Sequence, residues 1–213
     1  MPTFDDVTVV GPAYRVHTPR LVLRCWQPAD APLLKAAMDE SREHLREWMP
    51  WADHEPDPLD EIVARARRWR GKFDLGQDFV YAIFNPDESA VWGGTGLHTR
   101  VGEDAREIGY WIHVDQVGRG LATEAAGALT RVAFEVDGVR RVEIHCDPCN
   151  VRSAAVARRL GYVHEGTLRQ RLPSGEGGYR DSMIWTLLAD EYPRSPAASM
   201  PIEAFDVMGR RIL

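Results

Sequence analysis

The segment 107–126, EIGYWIHVDQVGRGLATEAA, constrains this chain more than any other. Glu107–Val114 reads as a strand, a short turn carries Gly118 and Gly120, and a long helix follows at once. Leu121, Ala125, Leu129, Val132 and Val136 repeat at helical spacing, which predicts a helix over 120–136 with one apolar stripe. A strand passing into a helix through two glycines is a recipe for anion binding. The first N–H groups of a helix have no internal partner, and the helix dipole favours negative charge beside them. Glycine lets that backbone approach a phosphate with no Cβ in the way. Arg119 adds a formal positive charge. The same spacing also fits a turn that merely joins strand to helix.

Strands and helices alternate through the rest of the chain. Strands are predicted at Arg20–Trp26, Phe79–Phe84, Val91–Thr99, Arg141–Cys146, Tyr162–Gly166 and Tyr179–Leu188, with Asn85-Pro86-Asp87 as a hairpin loop. Helices are predicted from Asp30 to about Glu40, from Asp57-Pro58 to about Phe73, and from Asn150 to Leu160, with Gly161 as a left-handed stop. Residues 1–14 read as a loose lead-in. Residues 191–213 read as a tail, broken by Pro193, Pro196 and Pro201, yet apolar enough to dock. The expectation is one α/β (α+β) domain over 1–213, core about 15–190, with a mixed sheet whose strand order periodicity does not give.

Composition narrows the function classes. Of 213 residues, 44% are hydrophobic and 27% charged, enough for a real core and far from disorder or collagen. A net charge of −6 argues against a broad nucleic-acid surface. No apolar run approaches a membrane span, and the acidic N-terminus does not resemble a signal peptide. Three cysteines are too few for a disulfide framework, so a cytoplasmic address is expected. Cys146-Asp147-Pro148-Cys149 has thiol-redox spacing, but its first cysteine lies inside a strand and nothing pairs with it at metal spacing. The glycine turn lacks the Gly-Lys-Ser/Thr of a Walker loop, and Thr123 stands where a dinucleotide fingerprint needs glycine.

Val117-Gly118-Arg119-Gly120-Leu121-Ala122 resembles the acyl-CoA pyrophosphate loop of the GNAT superfamily of N-acyltransferases, Gln/Arg-x-x-Gly-x-Gly/Ala, at Gly120 and Ala122. Val117 departs from the first position, a departure common in the branch resembling RimJ/RimL-type ribosomal-protein N-terminal acetyltransferases, as is the wording GRGLATEA. TPRLVLRCWQPAD at 18–30, LREWMPW at 45–51, EIGYWI at 107–112 and NVRSAAVARRLGY at 150–162 are similar to this branch, in the right order. The resemblance implies a GNAT-like mixed, strongly twisted sheet flanked by helices and splayed at the acyl-CoA site. It implies transfer of an acyl group, acetyl first, from acyl-CoA to a primary amine by direct attack in a ternary complex. The co-substrate would be acetyl-CoA or another acyl-CoA, with no metal. The acceptor would be an amine-bearing small molecule or a protein N-terminus. Nucleic acid and membrane are not expected as partners, and the apolar tail is consistent with a homodimer.

The resemblance also implies residue roles. Backbone amides around Gly118, Arg119, Gly120, Leu121, Ala122 and Thr123 would hold the pyrophosphate, and the main chain of Ile112, His113 and Val114 would meet the pantetheine. Asn150 is a helix N-cap by position and a pantetheine contact by resemblance. Many family members have alanine at the position of Ser153 and a general-acid tyrosine at that of Ala157. Ser153 resembles the RimL-type serine that bonds the CoA sulfur, or it satisfies local backbone in the first helical turn. With that tyrosine missing, the alternative is a GNAT-shaped acyl-CoA-binding or sensing module without turnover. For the base, Glu107 and His98 are candidates: Glu107 through water, or as a strand surface charge, and His98 by its intrinsic pKa near 6.5, or as a bystander among seven histidines. Tyr110 offers a hydroxyl to the site, and Trp111 reads as packing. Trp48 and Trp51 line the acceptor cleft or belong to the core with Trp26 and Trp69. Asp53, Glu55 and Asp57 form a solvated loop or attract a cationic amine.

Overall fold

The computed structural model describes residues 12–53, 56–174 and 177–213. Its strands are β1 (Arg15–His17), β2 (Val22–Cys25), β3 (Phe79–Phe84), β4 (Val91–His98), β5 (Ala105–Ile112), β6 (Arg141–Cys146), β7 (Val163–Pro173), β8 (Tyr179–Leu188) and β9 (Glu203–Phe205). Helices α1 (Ala31–Arg46), α2 (Leu59–Asp74), α3 (Leu121–Glu135) and α4 (Val151–Arg159) pack on the sheet they form. The strand order is β7-β8-β6-β5-β4-β3-β2-β1-β9. Neighbours run antiparallel except β5 and β6, which are joined by the α3 crossover and run parallel.

That parallel pairing is short. It covers Ala105–Glu107 against Arg141–Glu143, and no further. Beyond it β5 stays on β4 to Ile112, and β6 stays on β8 to Cys146. The two central strands therefore part in the middle of the sheet, leaving two inner strand edges facing a notch.

Alternation sorts side chains onto two faces. Leu97, Ile108, Val142 and Ile144 join Leu121, Ala125, Leu129 and Val132 of α3 and Ala154 and Ala157 of α4 in one buried cluster. Val22, Ala82, Phe84 and Val91 meet Leu34 and Met38 of α1, Ile62 of α2 and Trp26 in a second. Trp26 is buried, and half-buried Trp69 packs against it with its ring tilted, 5.9 Å between centroids.

β3, β6 and β8 coincide with expectation, and the mixed α/β architecture is present. α1 runs on to Arg46, because Leu45 continues the buried stripe beyond a polar stretch. Asp30 does not cap it through its side chain, which is held in a bidentate pair by Arg24 at 2.8 Å. β7 extends to Pro173 with nearly every side chain exposed, so it has no alternation to read. β1 and β9 were not expected, since three-residue strands carry almost no pattern. Residues 1–11 of the expected lead-in lie outside the described residues. Ala13 is buried and Tyr14 donates its N–H to Phe205, so these two residues of the lead-in are packed rather than loose.

The tail docks as expected, and it completes an edge. β9 pairs with β1, Ile202 and Ala204 are buried, and Met200 lies against Gly127 of α3. Removing residues 201–213 should lower stability by about 2–4 kcal/mol from lost apolar burial, or roughly 5–15 °C in Tm for a chain of this size. A melting temperature within 2 °C of the full chain, a shift below that for about 1 kcal/mol, would show that the tail adds nothing to the core.

Candidate active site

A 3-10 turn, Val114–Gln116, carries the chain from β5 to Gly118-Arg119-Gly120 and into α3. Gly118 and Gly120 have φ of +81° and +80°, left-handed values that disfavour any side chain. Gly120 is the N-cap of α3 and brings no side chain to its first turn. A Cβ at Gly118 would meet nothing within 4 Å, and one at Gly120 would meet only Nη2 of Arg20, at 3.6 Å. The amides that open α3 thus face an open cradle, with Leu121 buried beneath and Ala122 and Thr123 half-buried. This fits a diphosphate. Arg119 is bonded to Gln116 and lies 5.9 Å over the Trp92 ring.

A buried carboxylate braces the cradle. Glu124, in the first turn of α3, accepts from the Thr18 hydroxyl at 2.6 Å, the Arg20 backbone at 3.1 Å and Arg20 Nε at 2.6 Å. Arg20 Nη1 then donates to the Arg119 carbonyl at 2.9 Å. Arg20 thus neutralises a negative charge that would otherwise repel an anion on the same helix. Sequence reading missed this pair, which is about a hundred residues apart; the only hint was TPRL at 18–21.

α1 grips the approach to the turn. Val114 donates its N–H to Ser41 Oγ at 3.1 Å, and buried His113 contacts Glu40 through Nε2 at 3.0 Å while Nδ1 accepts from Asp115. His113 N–H bonds to Trp92 on the β4 side. Two of the amides expected to face pantetheine are therefore already engaged, and Ile112 is buried opposite Gly93. Glu40, His113 and Asp115 are a group whose ligand atoms lie within 4.8 Å of one another, but both ring nitrogens of His113 are in use.

The notch separates two kinds of chemistry. On the α3–α4 side, Asn150 Oδ1 accepts the Ser153 N–H at 3.0 Å and caps α4. Ser153 Oγ lies 2.8 Å from the Tyr110 hydroxyl, reaching across from β5. Burial pushes the Tyr110 phenol well above its ordinary range, against the lowering effect of Ser153. Cys146, at the end of β6, is buried on the same face, and burial raises its thiol pKa. Cys149 is exposed, and all three cysteines are free thiols.

On the α1–α2 side, His98, Glu107 and Glu143 stand abreast on β4, β5 and β6. Burial pushes the Glu107 carboxyl up, but hydrogen bonds and charge from Arg100, with His145 and His98 nearby, outweigh it and hold the pKa below the usual range. Both of its oxygens contact Arg100. His98 Nδ1 is 2.9 Å from Asp78, and its ring lies over Gly96 and Gly109. Two residues past Glu143 on the same face is His145, which sequence reading passed over. Its Nε2 is 2.6 Å from Glu143 and its Nδ1 is 3.7 Å from Glu107. Trp51 packs edge-on to Trp111 at 6.0 Å, and the Trp48 carbonyl accepts from Arg180 of β8 at 3.3 Å. Arg180 also bonds the Glu47 carbonyl and sits 3.6 Å from Asp147, tying the loop after α1 to the end of β6. Asp57 is paired with Arg65. Glu55 and the Asp53 side chain lie outside the described residues.

Residues 20–163 match the family model described as the acetyltransferase (GNAT) domain. The chain belongs to the GNAT acetyltransferase family. The chain is 28% identical over 183 residues to the [ribosomal protein uS5]-alanine N-acetyltransferase of Escherichia coli, covering 85% of this chain and 94% of that one. Its fold matches RimL, a ribosomal L7/L12 alpha-N-protein acetyltransferase solved with coenzyme A, with TM-score 0.74, 23% identity and coverage of 82% and 97%. It also matches Mycobacterium smegmatis RimJ in complex with CoA-disulfide, with TM-score 0.76, 24% identity and coverage of 86% and 90%. It is an acyl-CoA-dependent N-acetyltransferase.

As a GNAT chain it departs from the common pattern at Ala157, which is fully buried against the core. The hydroxyl pair beside the notch is instead Ser153 and Tyr110. Gly120→Val places a β-branched side chain in the cradle at a left-handed φ, straining the turn by about 1–2 kcal/mol. The fold should survive, while the Kd for acetyl-CoA by calorimetry should rise at least about 10-fold, equivalent to about 1.4 kcal/mol. Unchanged affinity would remove the turn from the diphosphate site.

Proposed function

We propose that this enzyme transfers the acetyl group of acetyl-CoA to the α-amine of a protein N-terminus, by direct attack in a ternary complex. The observation that carries the reading is the hydroxyl pair Ser153–Tyr110 on one side of the notch, with Glu107, His145 and Glu143 on the other. A thioester lying in the notch would present its sulfur to a donor and its carbonyl to an amine from the opposite face. The uS5-alanine N-acetyltransferase, alike over most of both chains, supports the α-amine as acceptor. A cytoplasmic setting belongs to the same reading.

Acyl-CoA supplies the activated acyl group. The residues of the chain do the rest. The amides of Gly118–Thr123 hold the diphosphate, with Arg20 cancelling the charge of Glu124. Ser153 donates a hydrogen bond to the departing sulfur, and the Tyr110 phenol, kept protonated by burial, donates in turn to Ser153. A thiol with pKa near 8.5 needs only a modest donor at neutral pH. The usual acid at the position of Ala157 is therefore dispensable.

Acetyl-CoA and a panel of peptides with free N-termini should give thiol release and a peptide product heavier by about 42 Da by mass spectrometry (one acetyl group in place of one hydrogen), while N-terminally blocked peptides should not. Tight binding of acetyl-CoA with no turnover across the panel would reject this reading. One hydrogen bond to a charged group is worth about 1.5–3 kcal/mol, so Ser153→Ala should lower kcat about 10- to 150-fold with acyl-CoA affinity nearly intact. Tyr110→Phe should cost less, roughly 2- to 12-fold, because it only frees the serine to turn. A Ser153→Ala kcat within about twofold of wild type, with chemistry limiting, would make it a helix-turn serine only.

A further inference from the structure

We propose that His145 is the base that takes the proton from the acceptor amine, with Glu143 fixing its tautomer. The inference rests on the acetyl-transfer reading above and names a residue for which neither the motifs nor the relatives supply a role. Both expected bases are engaged elsewhere: Glu107 holds Arg100 with both oxygens, and His98 is turned to Asp78. His145 differs. Its Nε2 lies 2.6 Å from Glu143 Oε2, and a carboxylate only accepts, so Nε2 carries the hydrogen. In the neutral ring Nδ1 then keeps its lone pair. It lies 3.7 Å from Glu107 Oε2, too far for a direct hydrogen bond and within reach of a bridging water.

A carboxylate that orients an imidazole, leaving the other nitrogen free, is the arrangement used by histidine bases generally. The charged groups around the ring are Glu143 with Arg141 on its own strand, and Glu107 with Arg100 and His98 beyond it. From β8 the partner across is Ile184, which does not titrate. Each carboxylate has its own arginine, so the neutral ring sits in a balanced cluster and the imidazolium has a carboxylate at either end. The side chain is 25% exposed, enough to exchange protons with water. It lies on β6 just beyond the last parallel pair, on the face of Glu107 and Trp111, opposite that of Tyr110 and Cys146.

In the step, the ammonium form of the acceptor gives one proton to Nδ1, and the imidazolium returns it to solvent. The C–N bond then forms as the C–S bond breaks, and the proton lost by nitrogen in becoming an amide balances the one gained by the CoA sulfur. An α-amine, with pKa near 8, gives up its proton more readily than a lysine amine, near 10.4. A protein N-terminus is therefore the easier amine to deprotonate at neutral pH.

The test uses full-length enzyme, acetyl-CoA and an N-terminal-alanine peptide that wild type acetylates; absence of wild-type turnover across the peptide panel would overturn the acetyl-transfer reading on which this rests. Wild-type kcat/KM should show an acid limb separate from the amine's own ionisation near 8. His145→Gln should lower it about 100-fold at pH 7, leave the acetyl-CoA Kd within about twofold, and rise only with the amine's own ionisation near 8. Added imidazole should partly restore His145→Ala. Glu143→Gln should keep the acid limb but move it to lower pH, since the imidazolium loses one carboxylate, and this variant decides the matter if His145 substitutions do not fold. A His145→Gln rate within about threefold of wild type with an unmoved limb, or an unmoved limb in Glu143→Gln, would overturn the assignment.

Discussion

Everything that this chain does at its centre follows from the brevity of one strand pairing. β5 and β6 run side by side for three residues and then go to different neighbours, one held by β4 and the other by β8. Backbone hydrogen-bonding groups along two inner edges are thereby left facing each other across a notch in an otherwise continuous sheet. Unpaired strand edges inside a protein need a partner, and an extended amide-bearing ligand can supply one. The notch also makes each strand end bear side chains on two faces. Tyr110 and Cys146 point to the helix that brings Ser153. Glu107 and His145 point to the side roofed by α1 and α2. The proposed proton donor for the leaving group and the proposed proton acceptor for the nucleophile are thus kept apart by the sheet itself, so each keeps its own environment.

Two further contacts make the notch and the glycine turn a single site. Glu124 and Arg20 bind the chain before β2 to the first turn of α3, and Ser41 and Glu40 bind α1 to the residues leading into that turn. The glycine turn proposed to take the diphosphate is therefore held from both sides of the sheet. Arg180 does the same at the other end, joining the loop after α1 to Asp147. The side proposed for the acceptor is framed by elements that also fix the side proposed for the co-substrate.

Much of this was legible in the sequence, for reasons that differ by residue. The glycine turn, α3 and the Asn150 cap are local, and local chemistry leaves a local trace: two left-handed glycines, one apolar stripe, one capping asparagine. The Tyr110–Ser153 pair was half legible, since each residue drew notice but nothing in the spacing joined positions on β5 and α4. Arg20–Glu124 and His145–Glu107 were not legible, because they depend on which strands are neighbours, and periodicity is silent on strand order. β7 escaped in its outer half because an edge strand exposed on both faces shows no alternation, and β1 and β9 were too short to show any.

The central claim is that acyl-CoA enters where β5 and β6 part and anchors on the amides opening α3. Hydrogen exchange followed by mass spectrometry, with and without saturating acetyl-CoA, tests it most directly. The account predicts slower exchange at residues 118–123 and along the inner edge of β5, with the β1–β9 edge unchanged. Binding established by calorimetry with no protection at 118–123, or with protection confined to another part of the sheet, would contradict it.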